Sequence, residues 1–230
     1  MNISQNTINK LVDFIKAEIV LKDYKLDPEF FYNNLPLCVI DSVFSISVKY
    51  ESVKNVVSNF CNYKKIQPYR VNQDSYPSKE EQYSITDYLN DFENLGGNFM
   101  AEKVFNNRHR TSPTNGILKA EAVNLFMKEL RFSGINYFQD IDKVDKDLEN
   151  RIKSIKGQGS GISLQYFFML AGNDNFIKPD RMIVRFIERI VNERVKLCDC
   201  TYLLKQVSKE LGLSPRLLDN AIWNYQRNQL

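Results

Sequence analysis

The chain has 230 residues, of which 43% are hydrophobic, and its 31 Lys and Arg against 28 Asp and Glu leave a formal net charge of +3. That is enough apolar material for one large core or two smaller ones, and a charge balance too even to mark a nucleic-acid binder by composition, so any basic surface must come from local clustering. With 9 Gly and 7 Pro, disordered, collagen-like and turn-rich all-β classes are excluded and an all-α fold is expected.

The opening MNISQNTINKLVDFIKAEIV interrupts its apolar residues with Lys and Asp, so neither a signal peptide nor a membrane span is expected, and the protein reads as soluble and cytoplasmic. Ile8, Leu11, Ile15, Ile19 and Val20 fall on one helical stripe. LPLCVIDSVFSIS, with Pro36 suited to a first turn, reads as a buried helix. Asp41 inside it needs partners, either as a hydrogen-bond hub or as a pocket residue. ESVKNVVSNFCNYK continues with Val53, Val56, Val57 and Phe60 in register, and KKIQPYRVNQDSYPSKEEQYS, holding Pro68 and Pro77, is the longest irregular connection. Ser84 and Asp87 in SITDYL form a capping-box start. Gly96-Gly97 breaks the helical pattern before NFMAEKVFNN, and NRHRTSPTNG is a loop whose Arg108, His109 and Arg110 either contact a nucleic-acid backbone or are simply solvated. ILKAEAVNLFMKELRFSG is a helix ended by Gly134. DKVDKDLENRIKSI follows with Val144, Leu148, Ile152 and Ile155 as its seam.

Next comes IKGQGSG. Gly157, Gly159 and Gly161 permit positive φ and close backbone approach, so the turn's amides can hold a phosphate with Lys153 and Lys156 beside them, although an ordinary helix-helix turn explains the same glycines. ISLQYFFMLAG is apolar on nearly every face and belongs at the centre of a bundle. Asp180 then opens KPDRMIVRFIERI at the N-cap position, where a carboxylate is favoured for structural reasons alone. TYLLKQVSKELG and SPRLLDNAIWNYQRN close the chain, the latter with Ser214 as N-cap, Pro215 in its first turn and Trp223 as a core residue. The four cysteines, Cys38, Cys61, Cys198 and Cys200, lack paired ligand spacing and the single histidine removes most His-based centres, so no metal is expected.

The hairpin, the buried helix and Asp180, nineteen residues after Gly161, together resemble the helix-hairpin-helix DNA glycosylases of the endonuclease III type. There a Leu-Pro-Gly-x-Gly hairpin precedes a buried helix and a catalytic Asp within Val-Asp-Thr-His. Here the matching residues are Ile155 to Gly159 and Pro179 to Met182. GILKAEAVNLF is similar to the family's Gly-x-x-x-Lys-Ala helix start, and LPLCVIDSVFSIS stands where the family has its first buried helix. The helix order matches over roughly residues 30–195.

The resemblance implies two helical domains flanking a DNA-binding cleft: 31–174, ending in the helix-hairpin-helix motif, and 1–30 joined to 175–230. It also implies a monomer acting on double-stranded DNA that carries a damaged or modified base. Asp180 would be catalytic, Gly157, Gly159, Gly161, Lys153, Lys156 and Lys119 would bind DNA, and Asp41 and Ser47 would be base-pocket candidates. Bifunctional members carry a Schiff-base Lys where this chain has Gly161, so a monofunctional glycosylase that leaves an abasic site is expected. The family's gap-filling Gln falls near Ser47, and its four-cysteine iron–sulfur loop has no counterpart beyond Cys198 and Cys200, so no cofactor is expected. Two other readings stay open: a non-catalytic DNA-binding protein that kept the hairpin, and a helical interaction protein without a DNA role.

Overall fold

The computed structural model describes residues 3–229, and every regular element among them is helical. Two isolated bridges, Tyr32 with Tyr69 and Arg110 with Leu118, are the extended pairings among these residues. No helix among them is long and apolar enough to cross a membrane. The chain divides into two compact units, one running from Pro28 to Ala171, the other joining the segment up to Asp27 to everything from Gly172 onward. Helix α1 (Gln5–Glu18) belongs to the second unit. The first holds α2 (Leu35–Phe44), α3 (Tyr50–Lys64), α4 (Ile85–Leu95), the single turn α5 (Gly97–Phe99), α6 (Lys119–Phe132), α7 (Lys146–Ser154) and α8 (Ile162–Leu170). The second resumes with α9 (Arg181–Val191), α10 (Leu197–Leu211) and α11 (Pro215–Arg227).

In the Pro28–Ala171 unit, α2 is buried along its whole length and packs on α3, α6 and α8. It starts where Asn34 accepts the Leu37 amide at 3.2 Å, with Pro36 in the first turn, where its missing N–H is not needed. Helix α8 is the other central helix, all but Ile162 and Gln165 buried. Ser84 and Asp87 form the expected capping box at α4, each side chain accepting the other's amide. At Gly96 the chain takes a φ of +78°, which ends α4. Turn α5 then runs into a π-helical turn at Met100–Val104.

The irregular stretch after α3 is anchored. Arg70 is buried, with its guanidinium 4.9–5.7 Å from the ring centroids of Phe31, Tyr76 and Phe138. The Arg70 amide donates to the Phe31 carbonyl and the Asn33 amide to that of Pro68. Before α7, Val144 lies outside the helix, so the seam is carried by Leu148 and Ile152.

In the other unit, Ile8, Leu11, Val12 and Ile15 of α1 join a core with Ile183, Phe186 and Ile187 of α9, Leu203, Leu204 and Val207 of α10, and Leu218 and Ile222 of α11. Val20, expected on that stripe, is 81% exposed because α1 stops at Glu18 and Ile19 is already extended. Arg189 lies over Phe14, Phe186 and Tyr225, tying α1, α9 and α11 together at the edge of this core. Trp223 is only partly buried, and Arg227 stacks on its ring at 5.3 Å. The expected core position goes instead to Ile222 beside it.

Candidate functional site

The segment between α7 and α8 is two consecutive turns. The Gln158 amide donates to the Ile155 carbonyl at 2.8 Å, and the Gly161 amide donates to the Gln158 carbonyl at 2.9 Å. Gln158 is buried, and its Oε1 meets the Ser163 hydroxyl in the first turn of α8, which locks the turn to the helix. Gly157 (φ +90°) and Gly161 (φ +72°) need the left-handed region, whereas Gly159 does not. A Cβ on Gly157 would fall 2.3 Å from the Thr111 Cβ, so this glycine also permits close packing of the 106–118 loop.

Among the described residues, the amides of Gly157, Gly159 and Ser160 donate no hydrogen bond within the protein. The sequence assigned phosphate contact to all three glycine amides. The Gly161 amide is spent on Gln158, so Gly157 and Gly159 retain that capacity. Lys156 is exposed on the turn, and Lys153, in the last turn of α7, pairs with Glu149 at 3.5 Å. The Lys153 side chain also covers Gly161, whose Cβ would fall 3.0 Å from the Lys153 Cε.

Lys119 is elsewhere. It is 2% exposed, and its ammonium donates to the Phe44 carbonyl at 2.9 Å and the Ile46 carbonyl at 2.6 Å, where α2 ends. Burial brings it down to about 8. A direct phosphate contact requires an exposed ammonium, so that expectation for Lys119 is replaced by a structural role on the open carbonyls of α2.

Asp41 is also buried, and its Oδ2 accepts the hydroxyls of Tyr32 at 2.9 Å and Tyr166 at 3.3 Å. Burial, followed by the charge of Asp41, pushes the Tyr32 phenol well above its usual range, so it acts as a donor. The hub joins α2 to α8. Ser47, the other base-pocket candidate, is exposed in the loop after α2 at a φ of +56°.

In the other unit Asp180 is the N-cap of α9. Its Oδ1 accepts both the Met182 amide at 2.8 Å and the Ile183 amide at 3.2 Å, and among the described residues Oδ2 takes no hydrogen bond. Asp219 on α11 lies close enough for the two charges to interact. It is 5% exposed and accepts the Lys178 amide at 3.1 Å. Burial first, and the charge of Asp180 second, raise its carboxyl well above the usual carboxylate range.

Sequence reasoning missed Asp219. The available signal was an Asp between Leu218 and Ala221 on the apolar face of a helix. The Cys200 thiol in the same unit is pushed up to about 12, mostly by burial. Among the described residues no group of three or more His, Cys, Asp or Glu is placed to hold a metal ion.

Comparison with curated proteins and with solved structures gives no match. The model of the family described as "Domain of unknown function (DUF8548)" matches residues 9–227, running through both units, and the chain belongs to that family.

Proposed function

We propose that the protein is a monofunctional DNA glycosylase of the helix-hairpin-helix type, releasing a damaged or modified base and leaving an abasic site. The observation that carries this reading is how Asp180 is used. Both cap bonds fall on Oδ1, which leaves Oδ2 available for chemistry one buried helix and one loop after an amide-lined turn suited to phosphate. In this reading the backbone of duplex DNA meets the amides of Gly157 and Gly159, with Lys153 and Lys156 adding charge. Such binding is independent of sequence and weakens with salt.

A nucleotide turned out of the stack presents its sugar to Asp180. As the bond between C1′ and the base nitrogen breaks, the base leaves with the electron pair and positive charge gathers on the sugar, where Oδ2 stabilises it. Water then bonds to C1′ and its proton passes to the departing base. One water is consumed, and the products are a free base and an abasic sugar. Gly161 offers no amine, so strand cleavage through a Schiff base is not part of the proposed reaction.

The test is to incubate the protein with DNAs carrying different modified bases and to identify any released base by mass spectrometry. Asp180→Asn should slow release by about 100-fold or more, the scale of losing a charge-stabilising group, while DNA affinity stays near that of the unaltered protein. Undiminished release by the variant would remove Asp180 from the mechanism. Salt-sensitive DNA binding without release from any substrate would favour a non-catalytic DNA-binding protein, and no DNA binding at all would favour a helical interaction protein.

A further inference from the structure

Asp180 ends a loop that begins after α8, and a loop holds a reactive side chain in place only if it is anchored. Two polar anchors come from α11, beside the buried Ile177. Arg216, in its first turn, donates its amide to the Asp174 carbonyl at 3.1 Å and its guanidinium to the Asp174 carboxylate at 3.4 Å. Asp219, one turn further along, takes the Lys178 amide on Oδ1. From Lys178 to Asp180 the chain closes an inverse γ-turn. The Asp180 amide donates to the Lys178 carbonyl at 2.6 Å, and Pro179, whose ring fixes φ, is the central residue. The backbone held by Asp219 is therefore the same tight turn that presents Asp180.

We infer that Asp219 is a positioning residue for Asp180: from the buried side of α11 it holds the Lys178 amide, which fixes the γ-turn that aims the Asp180 Oδ2. The inference rests on the proposed role of Asp180 but concerns the loop, so the two can fail separately. Burial first, and the charge of Asp180 second, hold the Asp219 carboxyl above the usual carboxylate range. The Lys178 charge acts on Asp219 in the opposite sense, and the nearby Cys200 thiol, raised to about 12, adds no charge.

Asp219→Asn keeps the shape and an acceptor oxygen. Asp219→Ala removes the acceptor. Amide hydrogen exchange at Lys178, Met182 and Ile183 reads the anchor and the cap without any substrate. Protection should match the unaltered protein in Asp219→Asn and be lost in Asp219→Ala.

With a cleavable DNA, Asp219→Ala should lower kcat about 10- to 100-fold, the scale of a misplaced catalytic group, with KM unchanged, and Asp219→Asn should restore kcat. Three results would overturn the inference: protected Met182 and Ile183 amides in Asp219→Ala, an asparagine variant as impaired as the alanine one, or an unprotected Lys178 amide in the unaltered protein. The last decides the matter even if Asp219→Ala does not fold. If no DNA yields a base, the glycosylase reading falls while the amides still decide the role of Asp219.

Discussion

An ammonium taken out of water needs its lost hydration replaced, and Lys119 has the carbonyls of Phe44 and Ile46 for this. Its value of about 8 lies below that of a lysine in an unfolded chain, about 10.4. Between those two values the unfolded chain binds more protons than the native one, so the lysine's contribution to stability grows as pH rises through this window. Lys119→Met removes two hydrogen bonds from the end of α2 and should destabilise the fold by about 1–3 kcal/mol at neutral pH. Denaturant titrations from pH 7.5 to 10 should show the unaltered protein gaining on the variant across the upper part of that range, and parallel curves would contradict the assignment.

From the sequence, Lys119 at the start of an amphipathic helix carries the same signal whether it faces solvent or α2, because the residues that bury it are more than seventy positions away. What Asp219 holds was illegible for a similar reason, although its place on an apolar helix face was not. Its partner is a backbone amide, which has no sequence signature.

The helices themselves were largely written in periodicity and caps. Ser84 with Asp87, Ser214 with Pro215, and Asp180 all start helices by local hydrogen bonds that a few adjacent residues determine. The turn between α7 and α8 was legible as glycine-rich, but which glycine is indispensable was not. That depends on Thr111, on a different loop, and on backbone angles that spacing does not reveal.

Gly157→Ala meets both obstacles: a φ of +90°, and a Cβ placed 2.3 Å from that of Thr111. The left-handed penalty and the overpacking together should cost about 2–4 kcal/mol. At Gly159 a Cβ finds its nearest neighbour, the Lys153 carbonyl, at 3.8 Å, and φ is ordinary, so Gly159→Ala should fold as the unaltered protein does. Paired thermal melts test this directly. Equal losses at the two positions would mean that the turn is not built as described.

The two units differ in how the chain makes them: one is a continuous run, the other is closed by bringing α1 to the last three helices. Periodicity identified the face of α1, yet nothing in the first 27 residues names α9 and α10 as what covers it. Contacts so far apart in sequence are set by which apolar faces remain once each local element has formed. Ile15 tests that closure because it is fully buried in a core drawn only from α1, α9, α10, α11 and the segments flanking them. Ile15→Asp places an unpaired carboxylate there and should cost about 4 kcal/mol or more, a large part of a domain's stability. Hydrogen exchange resolved along the chain should then show protection lost in α9, α10 and α11 while α2 and α8, whose burial lies within Pro28–Ala171, stay protected. Loss across the entire chain would mean that the molecule unfolds as one cooperative body, and unchanged protection in α9 would mean that α1 is not part of its core.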